Sequence, residues 1–176
     1  MQDTFIAPMT GKIPRDYEAN PDVNFMNENK SNYLNKILRG EISAVEAYEQ
    51  VIPTFKDKTD RLRLTEIRDE HDRIVIKLKA LVEHSMFAAD ESSGSWGTIV
   101  TTIVGAAKLV SNTISLVTLM EGEEHGLRLY KEALEYNLTE EEHELIVEDI
   151  MPLLQKHIAS LEYMIKHQND SIVHKE

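Results

Sequence analysis

Apolar residues recur along this chain in steps of three and four, the period of a helix with one buried face. From about Ser31 to Ile52 the stripe reads Leu34, Leu38, Glu41, Val45, Tyr48 and Ile52. Ser31 is placed to cap this first helix, and Pro53 lies just past its end. A second helix is expected from Thr59 or Asp60 to about Ala88. Its stripe is Leu64, Ile67, His71, Ile74 or Val75, Leu78 and Leu81 or Val82. Its other face carries Arg63, Glu66, Glu70, Arg73 and Lys77, mixed charges that read as a solvated surface. DESSGSWG at 90–97 breaks the pattern. A third helix is expected from Thr98 through Tyr136, with Gly105 or Ser111–Asn112 as kink points. Its later stripe is Leu116, Leu119 or Met120, Glu123, Leu127, Tyr130 and Leu134. Thr139 with Glu142 forms a capping box that opens a fourth helix, running to about His167. Inside it lie Ile146, Ile150, Leu153 or Leu154, His157, Leu161 and Met164, and Pro152 predicts a kink. Pro8, Gly11, Pro14 and Pro21 deny residues 1–30 any period, so that stretch reads as an extended or disordered arm. Residues 31–168 then form the bundle, and 169–176 a frayed tail.

Each of the four stripes carries a polar intruder: Glu41, His71, Glu123 and His157. Two of them sit in a repeat. RGEISAVEAYEQVI from Arg39 aligns without gaps with EGEEHGLRLYKEAL from Glu121. Both segments contain Gly-Glu followed by Tyr, as Gly40-Glu41 with Tyr48 and Gly122-Glu123 with Tyr130. Each is followed by a helix with one His on its apolar stripe. The repeat unit is therefore a helical hairpin, and two hairpins joined by a long crossover make an antiparallel four-helix bundle. Glu41 and His71 should stand at the same height. Glu123 and His157 should be offset by up to one helical turn. Carboxylates and imidazoles converging from four helices are what a bundle metal site requires.

The chain has 176 residues, 19 of them basic and 31 acidic, for a net charge of −12. Phosphate backbones and anionic lipid surfaces should repel it, so no nucleic-acid partner is expected. It has no Cys, which removes disulfides, thiolate metal sites and a cysteine nucleophile. The first twenty residues lack a basic start followed by an apolar run, so a cytoplasmic location is expected. Thr98 to Met120 approaches the length of a membrane span, but Lys108 lies near its middle. A central Lys costs about 2.5–3.5 kcal/mol on insertion. Membrane association is thus disfavoured, and the segment reads as a buried or subunit-facing helix. A homo-oligomer, with a dimer favoured, is expected through 98–120. No phosphate loop, nucleotide fingerprint or Ser/His/Asp arrangement is present, so no nucleotide or organic cofactor is indicated and a hydrolase or kinase reading has no support.

On its Gly-Glu…Tyr motifs the chain resembles the ferritin-like superfamily, in particular the repeated half-bundles of rubrerythrins and bacterioferritins. It is most similar to small bacterial ferritin-like four-helix-bundle proteins, in which a segment like LxxGExxAxxxYxxxI recurs. A Gly-Ser-Trp-Gly-like linker precedes their third helix, as Gly94-Ser95-Trp96-Gly97 does here. The likeness covers about Ser31 to Gln168. It implies an all-α, ferritin-like antiparallel four-helix bundle with metal ligands at Glu41, His71, Glu123 and His157. Di-iron members carry Glu-x-x-His on the second and fourth helices. Here Arg68 and Leu154 stand in place of those bridging glutamates. Two Glu and two His suit Fe, Mn or Zn as divalent ions, and a single ion is easier to satisfy than a pair. The function implied is a metal-binding protein, redox or stress-related, using iron or manganese. The alternative is a metal-free bundle with a structural, assembly or interaction role; whether the protein is an enzyme stays open.

The simplest reading of the same residues is a buried carboxylate hydrogen-bonded to Tyr or His, since an unpaired ionised Glu in a core is too costly to persist. Tyr48 and Tyr130 read as packing residues. His125, with Glu121 and Arg128, reads as outer-face. His143, His167 and His174 lie near helix or chain ends, His84 is ambiguous, and Glu46 and Glu49 approach the core edge.

Overall fold

The computed structural model describes residues 21–84, 89–93 and 111–173. Among them the chain is all-helical, with no strand. Helix α1 spans Pro21–Val51, a 3-10 turn covers Ile52–Thr54, and α2 spans Lys58–His84. Helix α3 spans Asn112–Ala133. The last arm has three pieces: α4 at Glu140–Glu144, a π-helical turn at Leu145–Ile150, and α5 at Met151–Val173.

Several boundaries differ from the sequence expectation, each for a local reason. Helix α1 begins at Pro21, not at Ser31. A proline at the first helical position has its φ preset and no N–H to leave unpaired, so this proline starts a helix instead of breaking one. Residues 21–30 are thus helical and not an arm, and 1–20 lie outside the described residues. Lys30, expected in the arm, is buried and pairs with Glu142 at 3.0 Å. Helix α2 is capped by Asp57, whose carboxylate accepts from the backbone N–H of Thr59 at 2.8 Å and of Asp60 at 3.0 Å. The third helix is not continuous from Thr98 to Tyr136. Ser111 is extended, at φ −168° and ψ 160°, and its side chain accepts from the N–H of Ile114 as an N-cap. A serine there offers the backbone an alternative to helix, and the chain takes it. The expected kink point at Gly105 and the apolar stretch 98–110 lie outside the described residues. At the other end α3 stops at Ala133, which leaves Leu134 37% exposed; Leu129 and Ala133 are buried on the inner face.

The Thr139–Glu142 capping box is present, with both reciprocal hydrogen bonds made. The effect of Pro152 is a π turn just ahead of it. Pro152 has no N–H to bond the fourth preceding carbonyl, and its ring crowds that carbonyl. The N–H of Met151 reaches Ile146 O instead, five residues back.

The apolar stripes meet in two clusters at the two ends of the bundle. One gathers Ile37, Leu38, Leu78, Tyr130, Ile146 and Leu154. The other gathers Tyr48, Val51, Leu64, Leu116, Leu161 and Met164. Along α1 and α5 the chain runs from the first cluster to the second; along α2 and α3 it runs back. Helices α2 and α3 therefore run in the same direction, and the connection between them has to travel the length of the bundle. Its described stretch, 89–93, lies along α1. The Asp90 N–H donates to Asn35 Oδ1 at 3.0 Å, Arg39 pairs with Asp90, and Ser93 Oγ donates to Glu46 at 2.7 Å. Among the described residues, no helix is long and apolar enough to cross a membrane.

Leu78 is fully buried and Leu62 is 60% exposed on the same helix. Leu78→Ala is expected to lower the unfolding free energy by about 2–5 kcal/mol. Leu62→Ala should stay within about 0.5 kcal/mol of wild type. Urea unfolding of both variants checks the contrast.

Candidate functional site

The two apolar clusters are separated by one polar layer. On α1, Glu41 falls between Leu38 and Ala47; on α2, His71 falls between Ile67 and Ile74. On α3, Glu123 falls between Leu119 and Leu129; on α5, His157 falls between Leu154 and Leu161. All four are buried, none more than 4% exposed. The four residues singled out by the sequence are thus brought together in a single network.

His71 is its centre. Nδ1 lies 2.6 Å from Glu41 Oε2, and Nε2 lies 2.8 Å from Glu123 Oε1. Glu41 comes from the same hairpin and Glu123 from the other. Glu123 continues the network, its Oε2 standing 3.3 Å from His157 Nδ1. This longer contact is where the second hairpin carries its extra turn between Glu and His. The two tyrosines are not simple packing residues. Tyr48 donates to Glu123 Oε1 at 2.6 Å, and Tyr130 donates to Glu41 Oε1 at 2.8 Å. Each repeat's tyrosine serves the other repeat's glutamate.

One member lay outside the sequence reading. Glu70, expected on the solvated face, leaves its side chain 16% exposed and sets Oε2 2.8 Å from His157 Nε2. Lys156 Nζ donates to Glu70 Oε1 at 3.2 Å. A signal was there: Glu70 and Lys156 are the residues just before the two inner histidines. Neighbours of an inward residue on a helix flank the buried face, where a long side chain can still reach inward.

The other candidates lie elsewhere. Arg68, in a bridging position of the di-iron pattern, pairs with Glu49 at 3.4 Å and Asp69 at 2.7 Å. Leu154, in the other, is buried among apolar side chains. Glu46 accepts from Ser93, and His143 is exposed. His125 is half-buried and not on an open outer face. Burial, with Arg128 and Lys36 nearby, holds its pKa below the ordinary histidine value. His174 and the side chain of His84 lie outside the described residues.

The charges follow from this geometry. Burial alone would depress the His71 pKa, but Glu123 and Glu41 outweigh it and hold the ring well above the usual histidine value. Burial alone would raise the Glu123 pKa, but His71 and His157 outweigh it and pull it below the usual carboxylate range. Burial, and then the charge of the facing carboxylate, push both tyrosines up, so they stay protonated donors.

The same layer fits a metal ion. His71, Glu123 and His157 each offer a ligand atom, and these atoms lie within 4.8 Å of one another. Donors arranged around one ion at about 2.0–2.2 Å stand roughly 3–4 Å apart, so the three side chains have to draw inward to close on an ion. Imidazole and carboxylate are donors that divalent iron, manganese and zinc all accept. Glu41 falls outside this set. It faces His71 Nδ1, the nitrogen turned away from Glu123. Comparison with known protein families, with curated proteins and with solved structures finds no match to the chain.

The pKa directions fix how stability depends on pH in chelator-treated protein. A raised His71 pKa contributes fully below the unfolded value of 6.5 and is lost as pH climbs through the higher folded value. A lowered Glu123 pKa contributes above the unfolded value of 4.5 and is lost only as pH falls below it. Urea midpoints measured in chelator are expected to decline from pH 6 to pH 9, and His71→Gln should flatten that decline. A flat wild-type profile would contradict the buried imidazolium.

Proposed function

We propose that the protein is a ferritin-like, mononuclear metal-binding protein, redox or stress-related, holding one divalent iron or manganese ion at His71, Glu123 and His157. The observation that carries this reading is the double engagement of the two rings. Each has one nitrogen toward Glu123 and the other on a separate carboxylate, Glu41 for His71 and Glu70 for His157. Metal-binding histidines have this arrangement: the outer N–H donates to a carboxylate, which fixes the tautomer and the ring orientation. Two histidines and one carboxylate with open positions suit non-haem Fe(II), and Mn or Zn share the donors. A bound ion of this type supplies Lewis-acid or one-electron chemistry. The remaining carboxylates argue against a second ion, because Arg68 and Leu154 stand where bridging glutamates would. Glu41 is already divided between Tyr130 and His71. The up-down-down-up order of the helices, with a long connection, agrees with a ferritin-like topology. A homo-oligomer through 98–120 and a cytoplasmic setting belong to the same proposal.

One observation favours the metal-free assembly reading instead: every carboxylate oxygen of Glu41 and Glu123 already has a partner. The two readings separate on titration. Chelator-stripped full chain titrated anaerobically with Fe(II), or with Mn(II), is expected to take up one ion per chain. Affinity should rise with pH, because ligation removes a proton from His71. Glu41→Gln and Glu70→Gln should each weaken binding by about 10–100-fold. His71→Ala and His157→Ala should weaken it at least as much, and His143→Ala should leave it unchanged. Two ions per chain would overturn the mononuclear site. No uptake, with an unchanged melting temperature, would establish the metal-free reading.

A further inference from the structure

Beside the polar layer, between α1 and α3, lies a cavity of about 260 Å³. The two copies of the sequence repeat face each other across it. Gly40, Ser43 and Ala44 line one wall, and the aligned Gly122, His125 and Gly126 line the other. Leu154 closes one side, and Tyr48 and Tyr130 lie at the inner end against Glu41, Glu123 and His71. Packing does not explain the glycines. A Cβ at Gly40 or Gly122 would meet nothing within 4 Å, and one at Gly126 would make ordinary contact with Leu154 Cδ2 at 3.4 Å. Glycine inside a helix is costly relative to alanine, so open space is being kept where a methyl group would fit.

The chemistry of the walls narrows the occupant. Water needs two to four polar partners to be held in a cavity. Here the hydroxyls of Tyr48 and Tyr130 are committed to carboxylates, that of Thr118 donates to Ile114 O, and half of the lining residues are aliphatic or glycine. Among the hydroxyls on its walls, Ser43 is the exception. It is 4% exposed, it lines the cavity, and its Oγ has no hydrogen-bond partner among the described residues. A buried hydroxyl left unpaired carries a cost that a ligand can remove. Glu41, Glu121 and Glu123 all border the space, which disfavours an anion. A volume of 150 Å³ accommodates benzene, so this one holds about ten non-hydrogen atoms.

We infer that the cavity between α1 and α3 binds a compact, uncharged, mostly apolar molecule whose single hydroxyl or carbonyl group pairs with Ser43. The cavity shares His71 and Glu123 with the metal reading at its inner end, but the small residues of the repeat and Ser43, on which the inference rests, are not candidate ligands. Failure of metal uptake leaves it standing.

The test uses chelator-treated full chain and three probes: benzyl alcohol, toluene and benzoate, followed by calorimetry and thermal shift. Benzyl alcohol and toluene are expected to bind saturably at millimolar concentrations or below, and benzoate at least about tenfold more weakly. Ser43→Ala should weaken benzyl alcohol by between about two- and tenfold, the range for one hydrogen bond, and leave toluene unchanged. Gly122→Leu should abolish both. Should that variant fail to fold, Gly40→Ala, whose new methyl enters open space, should still weaken both probes. The inference is overturned if neither neutral probe saturates, if benzoate binds best, if Ser43→Ala affects the two neutral probes equally, or if filling the glycine positions leaves binding unchanged.

Discussion

The structure turns on one ring. His71 sits in the middle of an apolar bundle with a carboxylate on each nitrogen, one from each hairpin. Two buried carboxylates at this depth would each be costly alone, and so would a buried imidazolium. Together they are tolerable only in one relative position of the hairpins. Sliding one hairpin by a helical turn, about 5.4 Å, breaks every bond that crosses between the hairpins at once, from His71 and Tyr48 to Glu123, from Tyr130 to Glu41 and from His157 to Glu70. An uncompensated buried charge costs about 3–5 kcal/mol, a large share of the roughly 5–15 kcal/mol that holds a domain together. The layer therefore fixes register more than it adds stability, while the clusters above and below supply the apolar burial.

The repeat makes that register reciprocal. Tyr48 and Tyr130 cross over, each donating to the glutamate of the other repeat, so neither hairpin satisfies its own glutamate fully. The histidines break the symmetry. His71 bonds tightly to its own hairpin's Glu41, whereas His157 stands 3.3 Å from its own hairpin's Glu123 and turns its other nitrogen to Glu70 across the bundle. The extra turn of chain before His157 accounts for this, and Lys156 compensates by neutralising Glu70 from the surface. Burial alone would raise the Glu70 pKa, but His157 and Lys156 outweigh it and the carboxyl is held below its ordinary value.

Much of this was legible in the sequence because periodicity reports burial directly. The stripes on α2 and α5 are buried almost residue for residue, and the four polar intruders do converge. What escaped falls into two kinds. Boundaries set by a single residue escaped: Pro21 starts a helix where it reads as a breaker, and Ser111 caps one where continuity was expected. Both outcomes depend on which of two local hydrogen-bond patterns the rest of the fold rewards. Long side chains at the flank of a stripe escaped as well. Glu70 and Lys30 occupy positions that point sideways, and only the neighbouring helix decides whether the head group turns to water or inward. Glu142 is a related case, being both half of a capping box and the buried partner of Lys30.

The glycines join the polar layer to the space beside it. Gly40 and Gly122 stand directly before the two glutamates that His71 links, at equivalent places in the repeat. Interior glycine costs a helix about 0.8–1.0 kcal/mol relative to alanine, and neither position is crowded. A side chain there would enter the cavity next to Glu41 or Glu123. Tyr48 and Tyr130 line the same space, and their hydroxyls reach across from one helix to the other to meet those carboxylates. Small residues on both walls leave the space between α1 and α3 unfilled beside the two tyrosines, whose hydroxyls bond across it at 2.6–2.8 Å. The same spacing that lets the two repeats exchange hydrogen bonds is what leaves the cavity open.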